Sequence, residues 1–463
     1  MSLMVSVSGI RGIVGESLTP PVVMRYTRGF VEAEGKKQGV FLIGRDTRDS
    51  GPAVERIVEA TITSLGYDVV NIGIAATPTV LYCTRNLGCC GGIAITASHN
   101  GPEWNALKFC NGQGLFIEGP AVEKIERFAA TDELHDAWVR HDRLGSVSGR
   151  TDAGRMHIDA VMKAIDAERI RNRGFVVAID PVGGSGTAIT REFLERLGCT
   201  VVGVHESPQT GFPRGPEPTP QNLSDLCGLV KKHHADIGFA QDPDGDRLSI
   251  VSEQGNAIGE EYTLVLAGES YLRHKRTEIV CNLSTSMMAD DLAERFGVSV
   301  VRTRIGEINV TRGIFEKKAS YGGEGNGGVI ATNINPCRDS VVGMGLILQL
   351  LAEVVEPVSR IVGAWPSYHM DKEKIALEPQ EGSVTSKHKH SKELYGLLLN
   401  ASEKYFNTHE IDTLDGIKLY NKHEWIHLRL SNTEPVIRIM AESGSEGRTK
   451  ELIAIGKTLV ESI

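Results

Sequence analysis

Three segments of the chain repeat one pattern of apolar and polar positions. Each has an apolar run, a Gly/Ser-rich or charged loop, an amphipathic stretch, a bulky residue followed by glycine, and a second apolar run. The first goes from Val40-Phe41-Leu42-Ile43 to Leu65-Gly66-Tyr67-Asp68-Val69-Val70. The second goes from Phe175-Val176-Val177-Ala178-Ile179 to Leu197-Gly198-Cys199-Thr200-Val201-Val202, and the third from Ile279-Val280-Cys281-Asn282 to Phe296-Gly297-Val298-Ser299-Val300-Val301. Short apolar runs bounded by loops predict strands, and the periodic stretch between them predicts a helix. The glycine after each helix predicts a left-handed C-terminal cap, since glycine has no Cβ to clash there. Strand–helix–strand units of this size imply right-handed crossovers and largely parallel sheets.

The C-terminal part reads differently. Trp425-Ile426-His427-Leu428-Arg429-Leu430 and Val436-Ile437-Arg438-Ile439-Met440 alternate with a period of two, and a helix is predicted from about Gly447. The expected architecture is three related mixed α/β domains followed by a smaller α+β domain with an antiparallel sheet. The boundaries expected from the pattern divide the chain into residues 1–150, 151–253, 254–367 and 368–463. Val341 to Val355 is the most apolar long run, but Gln349 and Glu353 interrupt it, so it predicts a buried helix and no membrane role.

Composition narrows the function classes. With 41% hydrophobic and 24% charged residues, the 463-residue chain has the balance of a globular protein of several domains. A net charge of −9 argues against a nucleic-acid surface and leaves small anionic substrates open, because these need only local positive charge. Eight cysteines without a CxxC pair suggest neither a zinc site nor a disulfide framework. They fit small buried hydrophobes in a reducing cytoplasm, and the N-terminal residues carry no signal-peptide pattern.

The chemistry concentrates in loops. Asp242-Pro243-Asp244-Gly245-Asp246-Arg247 places three carboxylates at alternate positions between two apolar runs. Such crowding is unfavourable unless a cation shares the charges, and hard oxygen ligands suit Mg²⁺ or Ca²⁺. A plain polar turn is the competing reading. An EF-hand is excluded because Arg247 stands where that loop needs glycine, and strands replace its helices. Ser98, in Thr96-Ala97-Ser98-His99-Asn100, follows the apolar run Gly91–Ile95, and Lys108 lies on the next apolar stretch. Ser98 is either a turn-capping residue or a nucleophile, and no G-x-S-x-G elbow marks a hydrolase. Gly322-Gly323-Glu324-Gly325-Asn326-Gly327-Gly328 lets backbone approach a ligand, with Glu324 and Asn326 able to bind vicinal hydroxyls. Arg429, Ser431, Asn432, Thr433 and Arg438 offer an inventory suited to a phosphate monoester. Asp180-Pro181-Val182-Gly183-Gly184-Ser185-Gly186 looks like a phosphate cradle, but a turn into a helix is expected.

Thr96–Asn100, Asp242–Arg247, Gly323–Gly327 and Arg429–Pro435, in that order within residues 5 to 460, resemble the loops of the α-D-phosphohexomutase family. The resemblance implies four domains around a central cleft, each giving one loop. It implies that Ser98 is a phosphoserine, that Asp242, Asp244 and Asp246 hold Mg²⁺ with the Ser98 phosphate completing the shell, and that Glu324 and Asn326 read the sugar. Arg429, Ser431, Asn432, Thr433 and Arg438 would grip the non-reacting phosphate, while Arg11, His99, Lys108 and Arg247 would surround the reacting centre. Lys108 is expected to be the base, its pKa lowered by neighbouring cations. The implied reaction is reversible transfer between O6 and O1 of a hexose phosphate through a 1,6-bisphosphate. Glucosamine phosphate is favoured, mannose or glucose phosphate is the alternative, and a sugar-phosphate phosphatase is the other class. Many family members have histidine where this chain has Gly328, so a second acid/base is missing and Glu307 is a substitute candidate. No nucleic-acid or membrane partner is implied, and a cytoplasmic monomer or homodimer is expected.

Overall fold

The computed structural model describes residues 3–6, 9–35, 38–130, 138–208, 211–376, 394–431 and 436–462. Each repeated unit forms two parallel strands joined by helices. Val40–Arg45 pairs in parallel with Asp68–Ile74, Val176–Asp180 with Thr200–Gly203, and Ile279–Asn282 with Val300–Thr303. Gly66, Gly198 and Gly297 follow the intervening helices with φ of +85°, +74° and +64°, so each supplies the left-handed residue that ends its helix.

The first sheet has seven strands and is mixed. Its parallel half is built on Val40–Arg45, and its antiparallel half carries Gly9–Ile13 beside Trp104–Asn111. Phe30, Phe41 and Phe109 fill its core, with Phe30 stacked on Phe109 at 4.7 Å between ring centroids. The second and third sheets have four strands each, and each ends in an antiparallel hairpin that carries a loop of interest. Ile237–Gln241 turns at Asp242–Arg247 into Leu248–Ser252, and Tyr321–Glu324 turns into Gly328–Ala331. The fourth sheet is wholly antiparallel, and the helix Glu446–Glu461 packs on it.

The cores do not follow the four sheets one for one. A single apolar cluster runs from Ile158 to Trp365 and joins the second and third units. The helix Ser340–Val354, buried along nearly its whole length, is the element expected from the most apolar run. Among the described residues no helix is long and apolar enough to cross a membrane. The fourth unit has its own cluster, around Ile417, Ile426, Ile439 and Leu452. It meets the third unit through polar contacts. Ser284 Oγ lies 2.8 Å from His427 Nδ1, Met287 N donates to Glu442 Oε2 at 2.8 Å, and Ile305 N donates to Asp415 Oδ2 at 2.9 Å. All eight cysteines are free thiols, seven of them buried.

Candidate active site

The carboxylate hairpin and the serine loop meet in the interior. Asp242, Asp244 and Asp246 are each at most 1% exposed, and one ligand oxygen from each lies within 4.8 Å of the others. Gly245, at φ +68°, makes the tight turn that brings them together. The loop 181–186, expected as a turn into a helix, is a buttress: Ser185 N and Oγ both donate to Pro243 O, at 2.8 and 2.9 Å. Ser98 Oγ donates to Asp242 Oδ2 at 3.1 Å, across 144 residues of chain.

Ser98 is held in an unusual backbone conformation, with φ of +50°. A non-glycine residue there costs on the order of 1–3 kcal/mol and persists only when its surroundings impose it. The imposing group is Arg48. Its guanidinium donates to the carbonyls of Ser98 at 2.7 Å, Asn100 at 2.8 Å and Trp104 at 3.0 Å, and also to that of Gly101. Asp46 pairs with Arg48 Nε at 2.9 Å and accepts from Thr96 Oγ1 at 2.6 Å, while Thr96 Oγ1 accepts from Ser98 N. The loop Gly44–Arg48 therefore shapes the serine turn.

Burial and mutual repulsion dominate the electrostatics of the triad. Burial, with the charges of Asp244 and Asp246 added, holds the Asp242 carboxyl well above the usual carboxylate range. Burial opposes ionisation of Asp244 as well, but Lys108 and hydrogen bonds from Asp242 and Thr77 bring it below its ordinary value. Asp244 Oδ1 and Asp246 Oδ1 are buried without a hydrogen-bond partner. Orphaned buried oxygens are costly, and three hard anionic ligands around two of them fit a divalent cation such as Mg²⁺.

Lys108 corrects one expectation. Its Nζ donates to Asp244 Oδ2 at 2.6 Å and lies 3.8 Å from Asp246 Oδ2. Burial pulls its pKa down, but Asp244 and Asp246 outweigh that pull and raise it above the ordinary lysine value. The nearest charges are carboxylates, so the shift runs opposite to the expected lowering. His99 is neutral there: burial, then Arg247 and Arg11, bring its pKa down to about 2. Its Nδ1 is 3.4 Å from Ser98 Oγ and 3.3 Å from Arg247 Nη2. Arg11 Nη1 donates to Asn100 Oδ1 at 2.5 Å, and Arg247 Nη1 to Glu217 Oε1 at 3.1 Å.

A cleft of about 1130 Å³ opens beside this centre, lined among others by His99, Arg247, Glu324, Asn326, Arg429 and Arg438. All four units thus contribute to one cavity. Glu324 Oε1 accepts from Asn282 Nδ2 at 2.8 Å and Gly306 N at 3.0 Å, and Oε2 from Arg338 Nη1 at 2.8 Å. Asn326 Oδ1 is buried without a partner. Arg429 Nε pairs with Asp415 Oδ2 at 3.0 Å, and Ser431 N donates to Val436 O at 2.9 Å. Asn432 and Thr433 lie outside the described residues. Glu307, pushed up to about 7 by burial against the pull of Arg338, gives both oxygens to Arg338, at 2.8 Å to its N and 3.1 Å to its Nε. Two groups had no signal in the sequence. Arg338 follows an unremarkable Asn335-Pro336-Cys337, and Lys372 joins the cleft wall from the strand His369–Ala376.

Family models of the phosphoglucomutase/phosphomannomutase type match in the same order as the sheets. Alpha/beta/alpha domains I, II and III match residues 3–136, 155–255 and 259–368, and the C-terminal domain matches 387–455. The chain belongs to this family. It is a phosphohexomutase, an isomerase that moves a phosphoryl group within a hexose phosphate. A phosphoglucomutase/phosphomannomutase of Thermococcus kodakarensis is 33% identical over 460 residues, covering 98% of this chain and 97% of the relative. A protein of Methanopyrus kandleri named a probable phosphoglucosamine mutase is 33% identical over 447 residues, covering 96% and 95%. Among solved structures, a phosphoglucomutase/phosphomannomutase family protein from Burkholderia thailandensis has the same fold, with a TM-score of 0.83 at 23% identity over 99% and 98% of the two chains. N-acetylphosphoglucosamine mutase of Aspergillus fumigatus, solved with GlcNAc-6P and magnesium, follows at TM-score 0.63 and 12% identity over 100% and 96%.

Proposed function

We propose that this phosphohexomutase interconverts the 6- and 1-phosphates of a hexosamine, with glucosamine phosphate as the preferred substrate, through phospho-Ser98. The observation that carries the mechanism is Ser98 Oγ at 3.1 Å from Asp242, in a triad with two unpaired carboxylate oxygens. A hydroxyl so placed has little structural use, and the strained backbone that presents it is maintained at a cost. The name of the Methanopyrus relative supports the sugar, and that of the Thermococcus relative supports mannose or glucose phosphate as the alternative.

In this reading the free O1 or O6 hydroxyl of the sugar attacks the phosphorus on Ser98. The new sugar O–P bond forms, the P–Oγ bond breaks, and the proton lost by the sugar hydroxyl replaces the one that Lys108 gives to Oγ, so that the net transfer is from the sugar hydroxyl to Oγ. The resulting 1,6-bisphosphate reorients, and its other phosphoryl group returns to Ser98. Arg11 and Arg247 hold the reacting phosphoryl group, Arg429 and Arg438 hold the other, and Glu324 and Asn326 orient the ring. Mg²⁺ held by Asp242, Asp244 and Asp246 would neutralise charge on the transferring group. Lys108, an ammonium while it faces Asp244 and Asp246, returns a proton to the leaving oxygen. It acts as a base only where another cation relieves it of those carboxylates.

The test is incubation with glucosamine, mannose and glucose 6-phosphates, Mg²⁺ and a trace of the 1,6-bisphosphate. Conversion to the 1-phosphate, fastest with glucosamine, is expected. Release of inorganic phosphate without 1-phosphate would establish a phosphatase instead.

A further inference from the structure

Arg338 stands just before Asp339, whose side chain caps the helix Ser340–Val354 by accepting from Val341 N at 3.0 Å and Val342 N at 3.2 Å. That cap fixes the backbone from which the guanidinium projects. The fork then meets three carboxylates in three directions. Nη2 donates to Asp246 Oδ2 at 2.5 Å, Nη1 to Glu324 Oε2 at 2.8 Å, and Nε to Glu307 Oε2 at 3.1 Å. Asp246 belongs to the carboxylate hairpin, Glu324 to the glycine-rich loop, and Glu307 to the first turn of the helix Glu307–Glu316. The side chain is 11% exposed, so each bond is largely screened from water.

Two further observations make the arrangement specific. A Cβ at Gly328 would lie 2.2 Å from Arg338 Cδ, so the glycine-rich loop leaves room for this side chain and for little else. The hairpin and the loop also touch directly, Leu248 N donating to Gly327 O at 3.0 Å. That backbone bond sets how far apart the two loops stand. Arg338 sets the direction of the carboxylate on each side of it.

We propose that Arg338 is a positioning residue that aims Glu324 at the sugar while holding Asp246 in its place in the metal triad, so that substrate and metal are presented in one register. The inference rests on the mutase reading for the roles of Glu324 and Asp246. With Oε1 taken twice and Oε2 once, Glu324 keeps one lone pair for a sugar hydroxyl, and Arg338 decides where that lone pair points. Arg338 occupies Asp246 Oδ2, which leaves Oδ1 without a hydrogen bond, 3.9 Å from Arg247 Nε, to face a cation. A lysine keeps the charge but reaches one carboxylate at a time, because its ammonium is a point and not a fork.

The experiment compares Arg338→Met, Arg338→Lys, Glu324→Gln and Arg338→Met/Glu324→Gln in the full chain. Sugar-phosphate binding is followed by calorimetry, conversion by steady-state kinetics, and Mn²⁺ binding by electron paramagnetic resonance. Arg338→Met should weaken glucosamine 6-phosphate binding and raise its KM by about 10- to 100-fold, the range for residues that orient ligand-binding groups. Arg338→Lys should recover part of that loss. Adding Glu324→Gln should cost little more, because both substitutions remove one function. Mn²⁺ should bind Arg338→Met with a changed affinity and a changed line shape, since Asp246 loses the hydrogen bond that orients it. Multiplicative losses in the double variant would overturn the proposal. So would parent-like sugar binding in a folded Arg338→Met protein, or an Mn²⁺ affinity and line shape unchanged from the parent. Should Arg338→Met fail to fold, Arg338→Lys carries the same comparison. If the parent converts no sugar phosphate, the mutase reading has failed, while the calorimetric and Mn²⁺ arms still decide the role of Arg338.

Discussion

Replacing Arg48 by methionine tests whether the serine turn is imposed from outside. Both Arg48 and Asp46 are 0% exposed, so the substitution leaves a carboxylate with no counter-charge and four loop carbonyls with one donor fewer each. Breaking a buried ion pair from one side costs about 3–5 kcal/mol, and charge-assisted hydrogen bonds to the loop add about 1.5–3 kcal/mol apiece before relaxation. These terms overlap, so a loss on the order of 5 kcal/mol is expected for the first sheet. The loss should depend on pH. Burial already raises the Asp46 pKa against the pull of Arg48, and without Arg48 it rises further. A carboxyl with a raised folded pKa favours folding at low pH and loses that contribution as pH rises. The gap between parent and variant should therefore widen from acid to neutral pH. Urea unfolding across that range measures it, and deuterium exchange over residues 96–104 shows whether the turn loosens. Turnover should fall by more than about 100-fold, because displacing a nucleophile by roughly 1 Å has that effect. Asp46→Asn/Arg48→Met should regain stability without regaining turnover. A stable, active Arg48→Met enzyme would refute the reasoning.

Three other outcomes follow from the site. Ser98→Ala should keep the fold and lose conversion, and intact mass should show one phosphate on the bisphosphate-treated parent and none on the variant. Divalent-cation binding should release protons, because the Asp242 carboxyl is held well above its usual range by burial and by Asp244 and Asp246. Calorimetry of Mn²⁺ in buffers of different ionisation enthalpy would show this, with Asp242→Asn abolishing it and affinity falling as pH is lowered. Lys418 is brought down from 10.5 to about 7 by burial and then by Arg302, so the unfolded chain binds the extra proton between those values. Parent stability should gain from this group as pH rises through that window, and Lys418→Met should flatten the gain in urea midpoints.

Periodicity and loop chemistry made most of the fold legible. Alternation at Trp425–Leu430 and the glycines after three helices depend on a few neighbouring residues, and those are what a sequence displays. The serine and carboxylate loops were legible because residue type constrains their chemistry. What escaped is set by contacts across the chain. The direction of the Lys108 shift depends on which charges are nearest in space, and Asp244 is 136 residues away. Arg338 carries no local pattern, because its three partners lie 14, 31 and 92 residues from it. The hold of Arg48 on the serine turn left no mark in the sequence, since four of its partners are backbone carbonyls that every residue possesses.

The shared core of the second and third units has a consequence for how the cleft works. The carboxylate triad and the Glu324 loop are mounted on units that share one apolar core, whereas Arg429 and Arg438 belong to a unit with a core of its own, joined along a hydrogen-bonded seam. Water can replace a hydrogen bond at a seam for little free energy, but it cannot replace apolar contact inside a block. The side of the cleft that carries Arg429 and Arg438 can therefore loosen and retighten while the side that carries Glu324 stays rigid. Heating should melt the two parts separately, the C-terminal unit first, and a disulfide engineered across the seam should slow turnover without disturbing the block below.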